Sequence, residues 1–149
     1  MANIIISPGR YVQGKGELAN LGQYTQTLGK KPLILISKEG LEWFGYTLRT
    51  TFHNDLRFEI FNGECSKNEI NRMLSLLGDC DFVVGIGGGK TADTAKAVGF
   101  HAKKPVVVVP TIASTDAPCS ALSVIYSDAG VFEEYLFLQD LLNTSDLLH

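Results

Sequence analysis

The sequence contains no run of eighteen apolar residues, so it predicts no membrane-spanning helix. Near its start the longest apolar stretch is Ile4-Ile5-Ile6, too short for the core of a secretory signal. Cysteine is scarce: Cys65, Cys80 and Cys119 are odd in number, and none sits in a CxxC pair. That argues against a disulfide scaffold and a structural zinc site, and it fits a reducing cytoplasm. His53, His101 and His149 lie far apart, without HxxxH or HExxH spacing, which argues against a metal site built from them. An excess of basic charge is missing too. Thirteen Lys and Arg face sixteen Asp and Glu, a formal charge of −3, which argues against a nucleic-acid binder. With 45% hydrophobic and 19% charged residues, the chain has globular rather than disordered composition. Its 149 residues suit one domain of ordinary size. What it has in excess is glycine, fifteen residues in all, and their clustering matters more than their number.

Strand and helix patterns alternate along the chain. The apolar residues of 3–6 read as a strand, Ser7-Pro8-Gly9 as a turn, and 10–13 as a short returning strand. Leu18, Leu21 and Leu28 mark one face of a helix over 16–28, stopped at Gly29. The unbroken apolar run 33–36 suits a strand buried on both faces. Leu41, Phe44, Leu48 and Phe52 fall near the 3.6-residue period and predict a helix over 41–52, with Trp43 and the phenylalanines in the core. Alternation over 57–61 predicts a strand nearer a sheet edge. Ser66 and Glu69 have capping-box spacing, opening a helix that carries Ile70, Met73, Leu74 and Leu77 inward. A strand over 81–86, a helix over 91–100 and a valine strand over 106–109 follow. Two further strands, 123–126 and 135–138, flank the turn residues Ser127-Asp128-Ala129-Gly130. Repeated strand–helix–strand order implies a parallel sheet covered by helices, hence one α/β domain with an antiparallel hairpin near its end.

The sharpest motif is Val83-Val84-Gly85-Ile86-Gly87-Gly88-Gly89-Lys90-Thr91, a buried strand running through three consecutive glycines into a helix. Glycines leave no Cβ between backbone and ligand. The helix start offers unpaired N–H groups and a positive dipole end to an anion, and Lys90 adds a full charge. Together they make a phosphate cradle. It matches neither standard fingerprint. A P-loop needs glycine where Val84 stands, and GxGxxG needs glycine where Lys90 stands. A plain glycine-rich turn beside a surface lysine is the alternative, and an NTPase-like phosphate binder or a non-catalytic nucleotide module remains open.

The segment 110–120 begins where the valine strand ends. In a parallel sheet it therefore lies on the same edge as the glycine turn. Thr111, Ser114, Thr115 and Ser120 offer hydroxyls for phosphate or ribose oxygens, and Asp116 could accept a bond from a substrate hydroxyl. Alternatively Asp116 caps a short helix. Other candidates are weaker. Cys119 has no flanking lysine or histidine to activate it. His101, beside Lys103 and Lys104, reads as a solvated helix end. Asp93 reads as a helix-dipole stabiliser. Tyr126 either packs or lines the cleft.

Gly87-Gly88-Gly89-Lys90-Thr91-Ala92-Asp93-Thr94-Ala95-Lys96 resembles the GGGxxxDxAK signature of the iron-containing (group III) alcohol dehydrogenases. The segment 110–126, with Ser114-Thr115-Asp116-Ala117-Pro118 at its centre, is similar to the glycerol dehydrogenase branch. So are Ser7-Pro8, Tyr11-Val12-Gln13-Gly14, and Gly63-Glu64-Cys65-Ser66 before Asn68-Glu69. The resemblance runs over about 4–138. It implies a mostly parallel Rossmann-like sheet with helices on both faces, and an NAD-dependent enzyme that oxidises glycerol or a similar small polyol. By the same resemblance Gly87, Gly88, Gly89 and Lys90 hold the pyrophosphate, and Thr111, Ser114, Ser120, Leu122 and Tyr126 contact the rest of NAD. Asp116 bonds a substrate hydroxyl beside the nicotinamide. Zinc or another divalent metal serves the longer relatives by stabilising an alkoxide. A homo-oligomer is also implied.

Two departures from that family stand out. Where its members commonly carry an aspartate for the adenosine ribose, this chain has Ser37. A hydroxyl repels a 2′-phosphate less than a carboxylate does, which leaves the choice between NAD and NADP open. Second, the family is more than twice as long and keeps its metal ligands, an aspartate and two histidines, in a helical second domain. Residues 1–138 are expected to be the nucleotide domain and 139–149 a divergent tail. A chain ending before the metal ligands is expected to bind NAD weakly and to lack activity alone.

Overall fold

The computed structural model describes residues 3–6, 10–13, 16–111, 122–129 and 132–137. In chain order the elements are β1 (Asn3–Ile6), β2 (Arg10–Gln13), a 3₁₀ turn (Glu17–Asn20), α1 (Leu21–Tyr24), β3 (Pro32–Ile36), α2 (Lys38–Thr51) and β4 (Arg57–Ile60). Then come α3 (Lys67–Leu76), β5 (Phe82–Gly87), α4 (Gly89–Ala102), β6 (Val106–Pro110), β7 (Leu122–Tyr126) and β8 (Phe132–Phe137).

The strands whose sequences are apolar without interruption lie at the centre, because a strand covered on both faces has no solvent side for polar residues. β3, β5 and β6 are of this kind, and β4, with its mixed pattern, closes one edge. The six-stranded order is β2-β1-β6-β5-β3-β4. β3, β4, β5 and β6 run parallel, while β1 is antiparallel to both β2 and β6. β7 and β8 pair antiparallel as a separate two-stranded sheet.

Alternation along the central strands divides the core into two layers. Leu33, Leu35, Val83, Val106 and Val108 pack under α3 and α4. Ile34, Ile36, Val84, Ile86, Val107 and Val109 pack under the 3₁₀ turn, α1 and α2. Helices therefore cover both faces, and the α/β reading of the sequence holds. Gly85 lets α4 come close to the sheet: an added Cβ would stand 2.7 Å from the Ala95 Cβ. α4 is consequently buried all round from Thr91 to Gly99. Among the described residues no helix is long and apolar enough to cross a membrane.

Four local expectations need correction. The helix expected over 16–28 is a 3₁₀ turn followed by one turn of α1. The Thr25 hydroxyl donates back to the Leu21 carbonyl at 2.9 Å, and the Gly22 N–H donates to Thr51 Oγ1 at 2.9 Å, so hydrogen bonds off the helical path replace its continuation. Trp43 is not in the core but 72% exposed, and Tyr46 is 81% exposed. Leu48 and Phe52 define the buried stripe of α2, and Trp43 sits about 100° round from Phe44 on the helix. The capping box at Ser66 is half made. The Glu69 N–H donates to Ser66 Oγ at 3.0 Å, but the Glu69 carboxylate accepts from the Asn62 N–H instead of reaching back to its own cap. Finally, Leu74 is only partly buried beside Ile70, Met73 and Leu77.

Candidate functional site

The chain leaves β3 for β4 on one side, then crosses back to place β5 on the other side of β3. α2 leaves the end of β3 toward one face of the sheet, and α4 leaves the end of β5 toward the opposite face. Such a switch point opens a crevice at the carboxyl ends of the strands, where α/β sheets bind ligands. The register puts Ile36 opposite Ile86 and Gly87 opposite Pro110. Ser37, Gly87-Gly88-Gly89 and Thr111 therefore share this edge. The Thr111 N–H donates to the Gly87 carbonyl at 2.9 Å, tying the β6 exit to the glycine turn.

The three helices that rise from this edge begin differently. Ser37 Oγ accepts from the Gly40 N–H at 2.9 Å and caps α2. Ser66 caps α3 in the same way. α4 has Gly88 as its cap residue, which has no side chain to satisfy the first N–H groups. Gly87 must be small, since a Cβ there would meet Thr91 Oγ1 at 2.7 Å. The turn therefore presents backbone donors and the positive end of a fourteen-residue helix at the crevice, the arrangement that binds phosphate oxygens. That fits the pyrophosphate of a dinucleotide.

Lys90 reaches out of the first turn of α4, and its Nζ lies 2.9 Å from Glu64 Oε1. Glu64 belongs to the loop between β4 and α3. Its second oxygen, Oε2, is buried with no hydrogen-bond partner among the described residues. The loop is held from below. The Asn62 N–H donates to the buried Glu69 carboxylate at 2.7 Å, and Arg72 donates to Glu69 at 2.7 Å and to the Ile60 carbonyl at 2.8 Å. Beneath Glu64, burial pushes the Cys65 thiol up to about 11, against a weaker opposing hydrogen bond with Thr94. That thiol stays protonated at neutral pH.

Asp93 does not serve as an exposed dipole partner. It is buried in the second turn of α4, where its Oδ1 lies 3.2 Å from the Nζ of Lys96, itself 1% exposed. The helix is enclosed on every side, so a lone carboxylate could not persist there without a cation. His101 is exposed in the last turn of α4, as expected. Thr91 is buried, with its Oγ1 against Gly87 of the turn.

Of the residues singled out from sequence, the structure brings together Ser37, Gly87, Gly88, Gly89, Lys90 and Thr111. Those expected at Ser114, Asp116, Cys119 and Ser120 lie outside the described residues. Leu122 opens β7 and Tyr126 closes it, and β7 lies against α4. Glu64 as the partner of Lys90, and the Asp93–Lys96 pair, escaped sequence reading. Their only signal was membership of the Gly63-Glu64-Cys65-Ser66 and Asp93–Lys96 stretches that carried the resemblance. A separate groove of about 700 Å³ lies at the opposite, amino-terminal edge of the sheet, lined by Asn20, Gln23, Lys30, His53 and Asp55, and takes in none of these residues. Among the described residues no three His, Cys, Asp or Glu gather as a metal would need, so they do not fit a resident metal.

Comparison with known proteins places the chain in a family. The family model "iron-containing alcohol dehydrogenase" matches residues 8–145. The chain is 49% identical over 141 residues to the glycerol dehydrogenase of Citrobacter freundii, covering 91% of this chain and 39% of that protein. It is 50% identical over 143 residues to the glycerol dehydrogenase of Pseudomonas putida, covering 93% of this chain and 39% of that one. Among solved structures, a probable glycerol dehydrogenase from Sinorhizobium meliloti 1021 superposes with a TM-score of 0.75 at 45% identity, over 83% of this chain and 34% of its own. The chain thus spans about two-fifths of the length of the curated relatives it matches.

Proposed function

The chain belongs to the iron-containing alcohol dehydrogenase family, and from that premise we propose that it is the dinucleotide-binding part of an NAD-dependent dehydrogenase acting on glycerol or a similar small polyol. The observation that carries the reading is the glycine turn at the switch point, whose cap residue has no side chain, with Lys90 in the first turn of α4. The likeness to glycerol dehydrogenases along nine-tenths of the chain supports the choice of substrate.

In this reading the N–H groups at the start of α4 and the Lys90 ammonium hold the pyrophosphate. The Ser37 hydroxyl accepts from the Gly40 N–H, and its proton remains to donate to the adenosine ribose. Thr111, Ser114, Ser120, Leu122 and Tyr126 complete the dinucleotide contacts. Asp116 accepts a hydrogen bond from a polyol hydroxyl and orients the carbinol carbon. Bound NAD supplies the acceptor for the hydride.

The test is an NAD titration of the 149-residue chain by calorimetry, with Lys90→Ala alongside. We expect saturable binding that weakens at least about tenfold in the variant, the loss of one charge-assisted contact. Equal affinity in the two proteins, or no binding by a folded wild-type chain, overturns the reading for this chain.

A further inference from the structure

We propose that Glu64 decides which phosphate the glycine turn accepts: it penalises terminal, doubly charged phosphates and so favours the diester pyrophosphate of a dinucleotide. The inference rests on the reading above, that the turn holds a pyrophosphate, and it adds the residue that sets the charge of the ligand.

The cradle's cation is opposed before any ligand arrives. Lys90 Nζ lies 2.9 Å from Glu64 Oε1, so the pair brings little net charge to the turn. Glu64 Oε2 is shut away from solvent with no hydrogen-bond donor among the described residues. That oxygen faces the protein, while the side chain as a whole is 25% exposed. The backbone that carries it is held in place. Its loop is pinned by the Asn62 N–H to the buried Glu69 carboxylate, and by Arg72 to both Glu69 and the Ile60 carbonyl.

Backbone N–H groups reward any phosphate oxygen alike, but repulsion from a fixed carboxylate grows with the charge of the anion. In a dinucleotide each phosphate of the pyrophosphate is esterified on both sides and carries one negative charge. In a nucleoside di- or triphosphate the terminal phosphate is a monoester with a second ionisation near pH 6, and it carries nearly two charges at pH 7. Magnesium could neutralise that excess, but phosphate-binding loops that use it offer a Ser or Thr hydroxyl after the lysine. Thr91 stands at that place and is buried, with its Oγ1 beside Gly87. Charge and geometry thus act in the same direction.

The test is calorimetric binding of NAD, ADP and ATP, without divalent metal, to the wild-type chain, Glu64→Gln and Lys90→Ala, with circular dichroism and thermal unfolding as folding controls. Glu64→Ala removes the same charge if the glutamine variant does not fold. Removing the carboxylate is expected to tighten ATP at least about tenfold, ADP less, and NAD about threefold or less, because the gain scales with ligand charge. An equal change for all three ligands, or a weakening, overturns the role of Glu64 even when Lys90→Ala loses NAD. Unchanged NAD binding in Lys90→Ala instead overturns the phosphate-cradle reading and the proposal with it, as does the absence of binding by any of the proteins.

Discussion

At the residue scale, Gly85 of β5 and Lys90 at the start of α4 carry different kinds of information. Gly85 is a packing requirement. Its missing Cβ is the space in which Ala95 approaches β5. Gly85→Ala is expected to cost about 1–3 kcal/mol in urea unfolding, as overpacking does, and to weaken NAD binding by shifting the start of α4. Lys90, in the proposed reading, is a ligand requirement. Its partly exposed pair with Glu64 contributes less than about 1 kcal/mol. Lys90→Ala should therefore leave the unfolding midpoint nearly unmoved while binding is lost, which separates the two roles in one experiment. Cys65 makes a third kind of statement. A thiol pushed up to about 11 by burial does not ionise at pH 8, so Cys65 should resist iodoacetamide in the native protein and react after unfolding, read by mass spectrometry of peptides.

At the scale of elements, helix starts are where short sequence patterns and the three-dimensional structure meet. Ser66 was legible as a cap from its spacing to Glu69, and it caps α3. Its hydroxyl also bonds Asp128 in the turn between β7 and β8. Together with the Asn68 amide, 2.7 Å from Asp128 Oδ2, it holds the Asp128 carboxyl below its usual range. Ser66→Ala removes a buried cap and a tether of the hairpin, while Ser37→Ala removes an exposed cap. The first is expected to lie near the upper end of the roughly 0.5–2 kcal/mol range for lost caps and the second near the lower end, compared by thermal unfolding. α2 shows where periodicity misleads. Trp43 looked like core because large aromatics usually are, yet it lies off the buried stripe. Trp43→Ser should change stability by no more than about 0.5 kcal/mol.

At the scale of the whole molecule, the sheet is tied at its far end as well as at the edge that carries the glycine turn. Asp81 precedes β5, and its Oδ2 accepts from the Lys31 N–H at 3.0 Å and the Lys30 N–H at 2.8 Å, just before β3. Those backbone bonds, that from Lys31 foremost, hold its carboxyl below the ordinary value of 3.8. A depressed carboxylate adds stability that is fully present above the unfolded-state value and is lost as pH falls through the folded one. Stability should therefore decline on acidification below about pH 4, and the decline should be shallower in Asp81→Asn, measured by urea unfolding at pH 7 and pH 3. It should not vanish, because Asp79 and Asp128 are depressed as well.

Short sequence patterns were enough for the alternation of strands and helices, the doubly covered central strands, the edge position of β4, and the glycine turn with Lys90 at the end of β5. All of these follow from patterns a few residues long: period two, period 3.6, an unbroken apolar run, a break of glycines. What lies across from those patterns was settled by folding. Glu64 meets Lys90 from 26 residues away because the β4–α3 loop is pinned over the start of α4. Asp93 and Lys96 became an internal pair because α4 is enclosed on all sides, which its composition does not declare. Trp43 was left outside because the approach of α2 to the sheet selected another stripe. Local periodicity reports which way a side chain points from its own element. Which other element waits there depends on loop paths and layer packing, and those are properties of the folded chain.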